Sequence, residues 1–547
     1  MTDYFSIYNN NVKPKVLLTH DDLSKTDLVY GSYILNSILP TGFLQTHREW
    51  TRLWTRSWTQ DFAESKRLPK LDLMLSGSAA EYFNVPLYMK YEDLKNTKEY
   101  VKRYSYISDQ DVMFPYSSLP LIEENHSKPN TPFIGTIKQS EHPGYVLIVP
   151  NDNAFSPSLT VCLKSGVKVL DGSKIIESIK SKMRTHVTLE GPALALSDDF
   201  SHLCDYVLCF KCQSWPSCAK DWITRTRLGN WPTFQLIQQV IQDGCHVVRM
   251  GHINSKNRDF EFRLSFSKPE VTLAHSLLDC HRRVYLYVKL LHNLHLKEPK
   301  ALATYHLKTA LYWMVEQEPN TDIWKPCNTA VAFLRYLDKL LLFLKKYNIP
   351  NYFVPENNMI DHIKPESVRE IVKKLEAIRK EPMQFILAFF DKYTLTVPEE
   401  PYAYCPPREE LRVWKSMING QRKNYDDQSQ TKTAILNFHR CSLHLALSWL
   451  IEFTVFCRAQ NIEKPTKYCR QMFSCIGDTL RTAYEHKIYR TITDSDLPEF
   501  KSYISGEISQ VINDFVHKPE LNKINITDIF YDFLSYLPEY KLVSNIL

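Results

Sequence analysis

The feature that most constrains this chain is a change of hydrophobic period between Ser267 and Glu270. Before it, apolar residues come in short runs: LDLML at 71–75, YVLIV at 145–149, LTVCL at 159–163, YVLCF at 206–210 and FEFRLSFS at 260–267. Runs of that length between polar turns predict the strands of a mixed sheet. After it, 270–296, 302–316, 326–347, 365–379 and 381–393 carry the i, i+3, i+4 apolar spacing of helices. The expected class is α+β, with a strand-rich lobe over 1–255 and a helical bundle over 256–396. The Pro-rich interval from Pro115 to Pro143 reads as loop. VPEEPYAYCPP at 397–407 reads as a linker, and 408–547 as a helical extension without strands.

At 547 residues the chain is too long for one ordinary core. Only 14 glycines against 31 tyrosines and 27 phenylalanines predict a densely packed, helix-rich interior. Thirteen cysteines with no repeating spacing fit a reducing compartment, so a cytoplasmic location is expected. The first residues lack a basic segment followed by an apolar one, and no secretory signal is read. The most apolar stretch, 434–457, contains His439, Arg440, His444 and Glu452, which predicts a core helix and no membrane insertion.

The formal charge of +6 says little until its distribution is known. A long helix is expected over about 21–67, with Trp50, Trp54 and Trp58 on one face and Arg48, Arg52 and Arg56 on the other. This basic stripe continues into Lys66 and Arg67, and Lys180 and Lys182 belong to a second cluster. Both are candidates for contact with a phosphate backbone. The alternative is a solvated helix face.

Chemistry enters at LMLSGSAAE, where a strand ends at Ser76, Gly77 and Ser78 turn the chain and a helix begins. Such a turn aims backbone N–H groups at a phosphate, although a plain structural turn has the same appearance. In SDQDVMF, Asp109 and Asp111 are two apart and project from one side of an extended chain. Asp205 opens the strand DYVLCF. Together the three carboxylates suit a pair of divalent cations bound with substrate phosphates; separately they read as solvated acids. FEFRLSFS puts Phe262, Leu264 and Phe266 on a dry face, and Arg263, Ser265 and Ser267 on a polar one.

These residues resemble a known family. CDYVLCFKCQSWP, FRLSFSKPE, VKLL at 288–291, TYHLKTALYWM and NYFVPENNM, in that order, are similar to the cyclic GMP-AMP synthase and male-abnormal (Mab) domain family, from about Leu71 to Asp361. The resemblance implies a nucleotidyltransferase-fold lobe over 1–255 with a long N-terminal helix, and a helical C-terminal lobe. It implies that Gly77 and Ser78 contact a nucleoside triphosphate, ATP or GTP, and that Asp109, Asp111 and Asp205 hold Mg²⁺ or Mn²⁺. Arg263, Ser265 and Ser267 would read the base, Lys289 would contact phosphate or base, and Tyr305 would stack on a base. The implied activity is synthesis of a cyclic dinucleotide for innate immune sensing, triggered by double-stranded nucleic acid and accompanied by a ligand-induced homodimer.

The zinc-binding thumb that the family's vertebrate DNA-sensing member carries should fall between Glu270 and Lys289. His275, Cys280 and His281 in that stretch do not converge on one tetrahedral point, so no zinc is expected there. Cys204, Cys209, Cys212 and Cys218 read as core cysteines. Without the thumb, a long helical face favours double-stranded RNA over DNA. Two alternatives remain open at this level: a catalytically silent Mab-domain binding protein, and a nucleotidyltransferase with a linear product.

Overall fold

The computed structural model describes residues 73–85, 87–90, 110–124, 131–152, 154–181, 187–196, 204–325, 328–390, 393–396 and 403–404, with isolated positions 32, 35, 36, 39, 44, 48, 51 and 52. Asp109, Arg56, Lys66, Arg67, Lys182, the Trp50–Trp54–Trp58 face, the apolar stretch 434–457 and the extension 408–547 lie outside them.

The first lobe is built on a ten-stranded sheet in which β1 (Met74–Ser76), β3 (Gln110–Pro115), β11 (Cys204–Lys211), β12 (His246–Val248), β13 (Glu261–Ser265), β6 (Tyr145–Pro150), β5 (Gly135–Gln139) and β4 (Leu121–Glu123) follow one another. β10 (Ala193–Leu196) joins β11 beside β12 and carries β9 (Val187–Glu190). β3 and β11 run parallel, as do β4 and β5, and the other described pairings are antiparallel. A hairpin of β7 (Thr160–Cys162) and β8 (Lys168–Leu170) stands apart from this sheet. So does a triplet in which β14 (Tyr393–Thr396) lies between β2 (Leu87–Lys90) and β15 (Ala403–Tyr404).

Among the described residues the continuous α-helices are α1 (Gly77–Ala80), α2 (Gly172–Lys180), α3 (Lys220–Thr224), α4 (Phe234–Asp243), α5 (Ser267–Ser276), α6 (Asp279–Leu291), α7 (Thr304–Gln317), α8 (Thr329–Lys345), α9 (Pro365–Lys380) and α10 (Pro382–Phe390). α6, α7, α8 and α9 form the bundle, with α8 in contact with the other three. One continuous apolar core joins sheet to bundle, from Ile148, Phe210 and Phe262 through Phe266 and Phe353 to Leu337 and Leu340. Phe266, just after β13, stacks on Phe353 of the NYFVP segment at 4.4 Å between ring centroids, and Trp215 packs beside it at 5.3 Å. The α+β expectation agrees with this mixed sheet and its helices.

Three local expectations are corrected. The Pro115–Pro143 interval is not loop throughout, because β4 and β5 lie within it. Pro115 closes β3 and Pro120 precedes β4, so both rings sit at strand ends, where a missing N–H costs little. The helix expected over 270–296 is broken by extended backbone at Leu277 and Leu278. A continuous helix would pair the Ala274 carbonyl with the Leu278 N–H. Instead Arg282 Nη2 donates to Ala274 O at 2.5 Å, and the Leu278 N–H goes to His281 Nδ1 at 3.2 Å. Finally, Ala403–Tyr404, inside the stretch read as linker, pairs with β14.

Few positions of the expected N-terminal helix are described, but they are informative. Ser32, Leu35, Asn36, Leu44, Arg48, Thr51 and Arg52 are helical, and all but the two arginines are buried. The Leu35 carbonyl accepts from Tyr287 Oη at 2.8 Å and the Leu39 carbonyl from Arg283 Nε at 2.7 Å. Ser32 Oγ accepts from the Ala330 N–H, and Asn36 Oδ1 from Thr329 Oγ1, each at 2.9 Å. This segment therefore docks on α6 and the start of α8. Among the described residues no helix is long and apolar enough to cross a membrane.

α8 offers a paired test of the core. Leu337 is fully buried and Leu342 is 45% exposed. Leu337→Ala is expected to destabilise by about 2–5 kcal/mol, and Leu342→Ala by less than about 0.5 kcal/mol. Urea denaturation followed by tryptophan fluorescence measures both.

Candidate active site

Strand register brings the acidic chemistry together. Asp111 is the Cα partner of Ser76 on β1 and, on its other side, of Asp205 on β11. Parallel neighbours stand about 4.8 Å apart and paired residues point to the same face. Two half-buried carboxylates therefore stand side by side, supplying the hard oxygen donors that suit a divalent cation.

Gly77 makes this arrangement possible. Its φ is +70°, a left-handed conformation, and a Cβ built on it would lie 1.6 Å from Asp111 Oδ2. Only glycine lets the turn pass beneath that carboxylate. Ser76 Oγ donates to the Asp111 carbonyl at 3.3 Å, tying strand end to strand. The helix expected after the turn is a single turn, α1, that ends at Glu81. The chain then folds back: the Ser78 carbonyl accepts the N–H groups of Phe83 (2.7 Å) and Asn84 (3.1 Å).

Folding back so tightly puts Tyr82 at φ 57°, which is unfavourable for a bulky side chain. Its ring stacks on His275 at 4.5 Å, and His275 Nε2 lies 2.7 Å from the Ala80 carbonyl. Arg282 Nη1 donates to the Glu81 carbonyl at 3.0 Å. Lys289, expected to contact substrate, is buried with Nζ donating to the Phe83 carbonyl at 2.7 Å. Groups from α5 and α6 thus hold the turn from Ala80 to Phe83.

A buried charge group missed in sequence lies under the turn. Lys308 Nζ on α7 is 2.6 Å from Glu81 Oε1 and 2.9 Å from Glu270 Oε2 on α5. Glu270 Oε1 accepts from Tyr305 Oη at 2.8 Å, and the Glu270 carbonyl from Tyr312 Oη at 3.0 Å. Burial pushes the Glu81 carboxyl up to about 7, with Lys308 offsetting part of that rise and Glu270 and Asp111 adding to it. Burial works against the Lys308 charge, but Glu270 and Glu81 outweigh it and raise its pKa well above the usual lysine value. All three residues lie in quoted motifs, LMLSGSAAE, FSKPE and TYHLKT. The available signal was spacing: Lys308 is one helical turn beyond Tyr305, and Glu270 one beyond Ser267.

β13 runs along the same region. Phe262 and Leu264 are buried, as is Phe266 just beyond, while Arg263, Ser265 and Ser267 are half-buried, matching the expected alternation. The strand ends at Ser265 and Ser267 opens α5, yet their hydroxyls are 2.8 Å apart. The Tyr305 side chain is on the surface, 36% exposed, with its hydroxyl anchored on Glu270.

The basic candidates are placed differently from one another. Arg48 is half-buried, its Nη1 3.3 Å from the buried Asp279. Arg52 is exposed, and Lys180 stands half-buried in the last turn of α2. Of the thumb candidates, His275 sits against Tyr82 and His281 packs edge-on to Trp324 at 4.2 Å, with burial pushing the His281 imidazole down to about 3. Burial pushes the Cys280 and Cys209 thiols up to about 12.

The large mixed sheet and the helices that follow it are consistent with a nucleotidyltransferase-like α+β fold. Residues 280–377 match the family described as Mab-21 protein HhH/H2TH-like domain. The chain is similar to Protein mab-21-like 3 of Danio rerio, 24% identical over 182 residues, 31% of this chain and 43% of that protein. It is also similar to Cyclic GMP-AMP synthase of Mus musculus, 32% identical over 82 residues, 15% of this chain and 16% of that one. The matched regions span less than half the length of either relative. Over these regions the chain is similar to the cyclic GMP-AMP synthase and Mab-21 proteins, and residues 280–377 carry the Mab-21 HhH/H2TH-like domain.

Glu81 makes a pH-dependent contribution whose sign is fixed. Between about pH 4.5 and 7 the folded chain keeps a proton that the unfolded chain has lost, so stability falls as pH rises through that window and levels off above it. The full effect is about 3 kcal/mol at about 1.4 kcal/mol per unit. Denaturation midpoints of wild type and Glu81→Gln from pH 5 to 8 should differ in slope, the variant lacking the fall that Glu81 contributes up to about pH 7.

Proposed function

We propose that the chain is a divalent-metal-dependent nucleotidyltransferase that joins ATP and GTP into a cyclic dinucleotide when double-stranded nucleic acid, RNA rather than DNA, binds its basic surface. In this reading it acts in the cytoplasm as an innate immune sensor and pairs with a second copy when ligand binds. The observation that carries the reading is the register setting Asp111 beside Asp205 above the Gly77 turn. The names of the relatives, a cyclic GMP-AMP synthase among them, support the choice of product.

Asp111 and Asp205, with Asp109 as the assigned third acid, would hold Mg²⁺ or Mn²⁺. When bound, the ion makes a ribose hydroxyl easier to deprotonate and stabilises the pyrophosphate leaving group. Gly77 lets phosphate approach the backbone, and Ser78 Oγ is assigned to the triphosphate. Arg263, Ser265 and Ser267 supply donors to a base edge, while Tyr305 offers a stacking surface whose tilt Glu270 fixes through the hydroxyl. Lys289 acts here as a positioning residue through the Phe83 carbonyl. Arg52, Arg56, Lys66, Arg67, Lys180 and Lys182 are assigned to nucleic-acid phosphates, with Arg48 reaching them when it leaves Asp279.

The test is incubation of the purified chain with labelled nucleoside triphosphates and Mg²⁺ or Mn²⁺, with double-stranded RNA, DNA or neither. The expected result is an RNA-dependent, phosphatase-resistant small product that disappears in Asp111→Ala. A ladder of longer products favours a linear-product enzyme. No product with any ligand overturns the catalytic reading in favour of a binding protein that keeps the fold.

Two variants refine the assignment. Tyr305→Ala is expected to raise the KM for nucleotide about tenfold or more, the worth of one base–aromatic stack, while Tyr305→Phe keeps the ring and most of the affinity. Charge reversal at Arg52 and Arg56 is expected to weaken RNA binding without sequence preference and to flatten its salt dependence, read by fluorescence anisotropy.

A further inference from the structure

Beside the Arg263 strand lies a cluster that nucleotidyl transfer does not use. His252, in the loop between β12 and β13, places Nε2 3.2 Å from Asp361 Oδ1. His362 Nδ1 is 3.4 Å from the same oxygen. The ligand atoms of all three residues lie within 4.8 Å of one another.

The two contacts to Asp361 Oδ1, at 3.2 and 3.4 Å, match the ligand separation of a coordination sphere better than a pair of hydrogen bonds. A tetrahedral ion with bonds of about 2.0–2.1 Å keeps its ligands roughly 3.3 Å apart. A charge-assisted N–H···O contact closes to about 2.7–2.9 Å. The donor set, two imidazoles and one carboxylate, suits zinc-class ions and is poor for Mg²⁺ or Ca²⁺, which take oxygen.

The site is also held in place. The His252 side chain is only 7% exposed, stacked on His142 at 3.9 Å and edge-on to Tyr145 at 5.3 Å. Its backbone N–H donates to Glu261 Oε2 at 2.9 Å, and Glu261 Oε1 accepts the hydroxyls of Ser140 and Ser255. Asp361 and His362 are 40% and 32% exposed, so a fourth ligand enters from solvent. His252 Nδ1 now accepts the Asn254 N–H at 3.3 Å, which puts the ring proton on Nε2. An ion at Nε2 moves that proton to Nδ1 and costs this one long neutral hydrogen bond.

We propose that His252, Asp361 and His362 bind one zinc-class divalent ion, separate from the Asp111–Asp205 pair, that staples the β12–β13 loop to the segment preceding α9. Tyr145, which packs against His252, is the register partner of Arg263, so the staple braces the strand assigned to base reading.

The test uses the full chain, freed of any affinity tag and stripped of metal by a chelator. Co²⁺ serves as the spectroscopic probe and Zn²⁺ is titrated by calorimetry. One equivalent should bind with intense tetrahedral visible bands and without a thiolate charge-transfer band, and Zn²⁺ should raise the Tm. Asp361→Asn and His362→Ala, both at partly exposed positions, should each weaken binding at least tenfold and abolish the Tm rise, while Asp111→Asn changes neither. A pale octahedral Co²⁺ spectrum, a thiolate band, or wild-type affinity in both cluster variants overturns the assignment.

Discussion

The arrangement of the site depends on one buried ammonium. Lys308 enters from α7 and is shared between a carboxylate of the Gly77 turn and one of α5. Two buried acids around one lysine leave an excess negative charge, which the raised Glu81 pKa relieves by retaining a proton. Such a group does not favour folding simply by existing, because desolvation offsets much of the attraction. Its effect is geometric: once buried, it permits one relative placement of turn, α5 and α7, since any other leaves a charge unpaired in the core.

That placement explains how a strained turn persists. Gly77 and Tyr82 both have positive φ within six residues. Backbone strain of this kind survives only where its surroundings over-determine it. Here His275, Arg282 and Lys289 reach three successive parts of the turn, at the carbonyls of Ala80, Glu81 and Phe83. Two of them lie on α6, whose first residue, Asp279, pairs with Arg48 of the N-terminal segment. The basic segment and the Gly77 turn are therefore joined through a single helix.

Much of this was legible in sequence where the signal is local. The alternation of β13 puts Phe262 and Leu264 inside because the period of a strand is two, and the structure agrees residue by residue. The helices of the bundle follow from their 3.6-residue spacing. The partnership of Asp111 with Asp205 is another matter, because register between strands so far apart in sequence is set by tertiary packing. The break at Leu277 was invisible because Arg282, not a helix-breaking residue, makes it possible. Lys308 reads as a solvated charge unless its two distant carboxylates are known. Arg48 was expected on an outward stripe, yet its partner is 231 residues away.

The central claim is that Asp111 and Asp205 together form a cation site for nucleotide. Crystals grown with Mn²⁺ and a non-hydrolysable nucleoside triphosphate, measured at the manganese absorption edge, test it most directly. The account predicts an anomalous peak bonded by both carboxylates, with the triphosphate lying over Gly77 and Ser78. Nucleotide bound elsewhere, or ordered nucleotide here with no metal peak between Asp111 and Asp205, would contradict it.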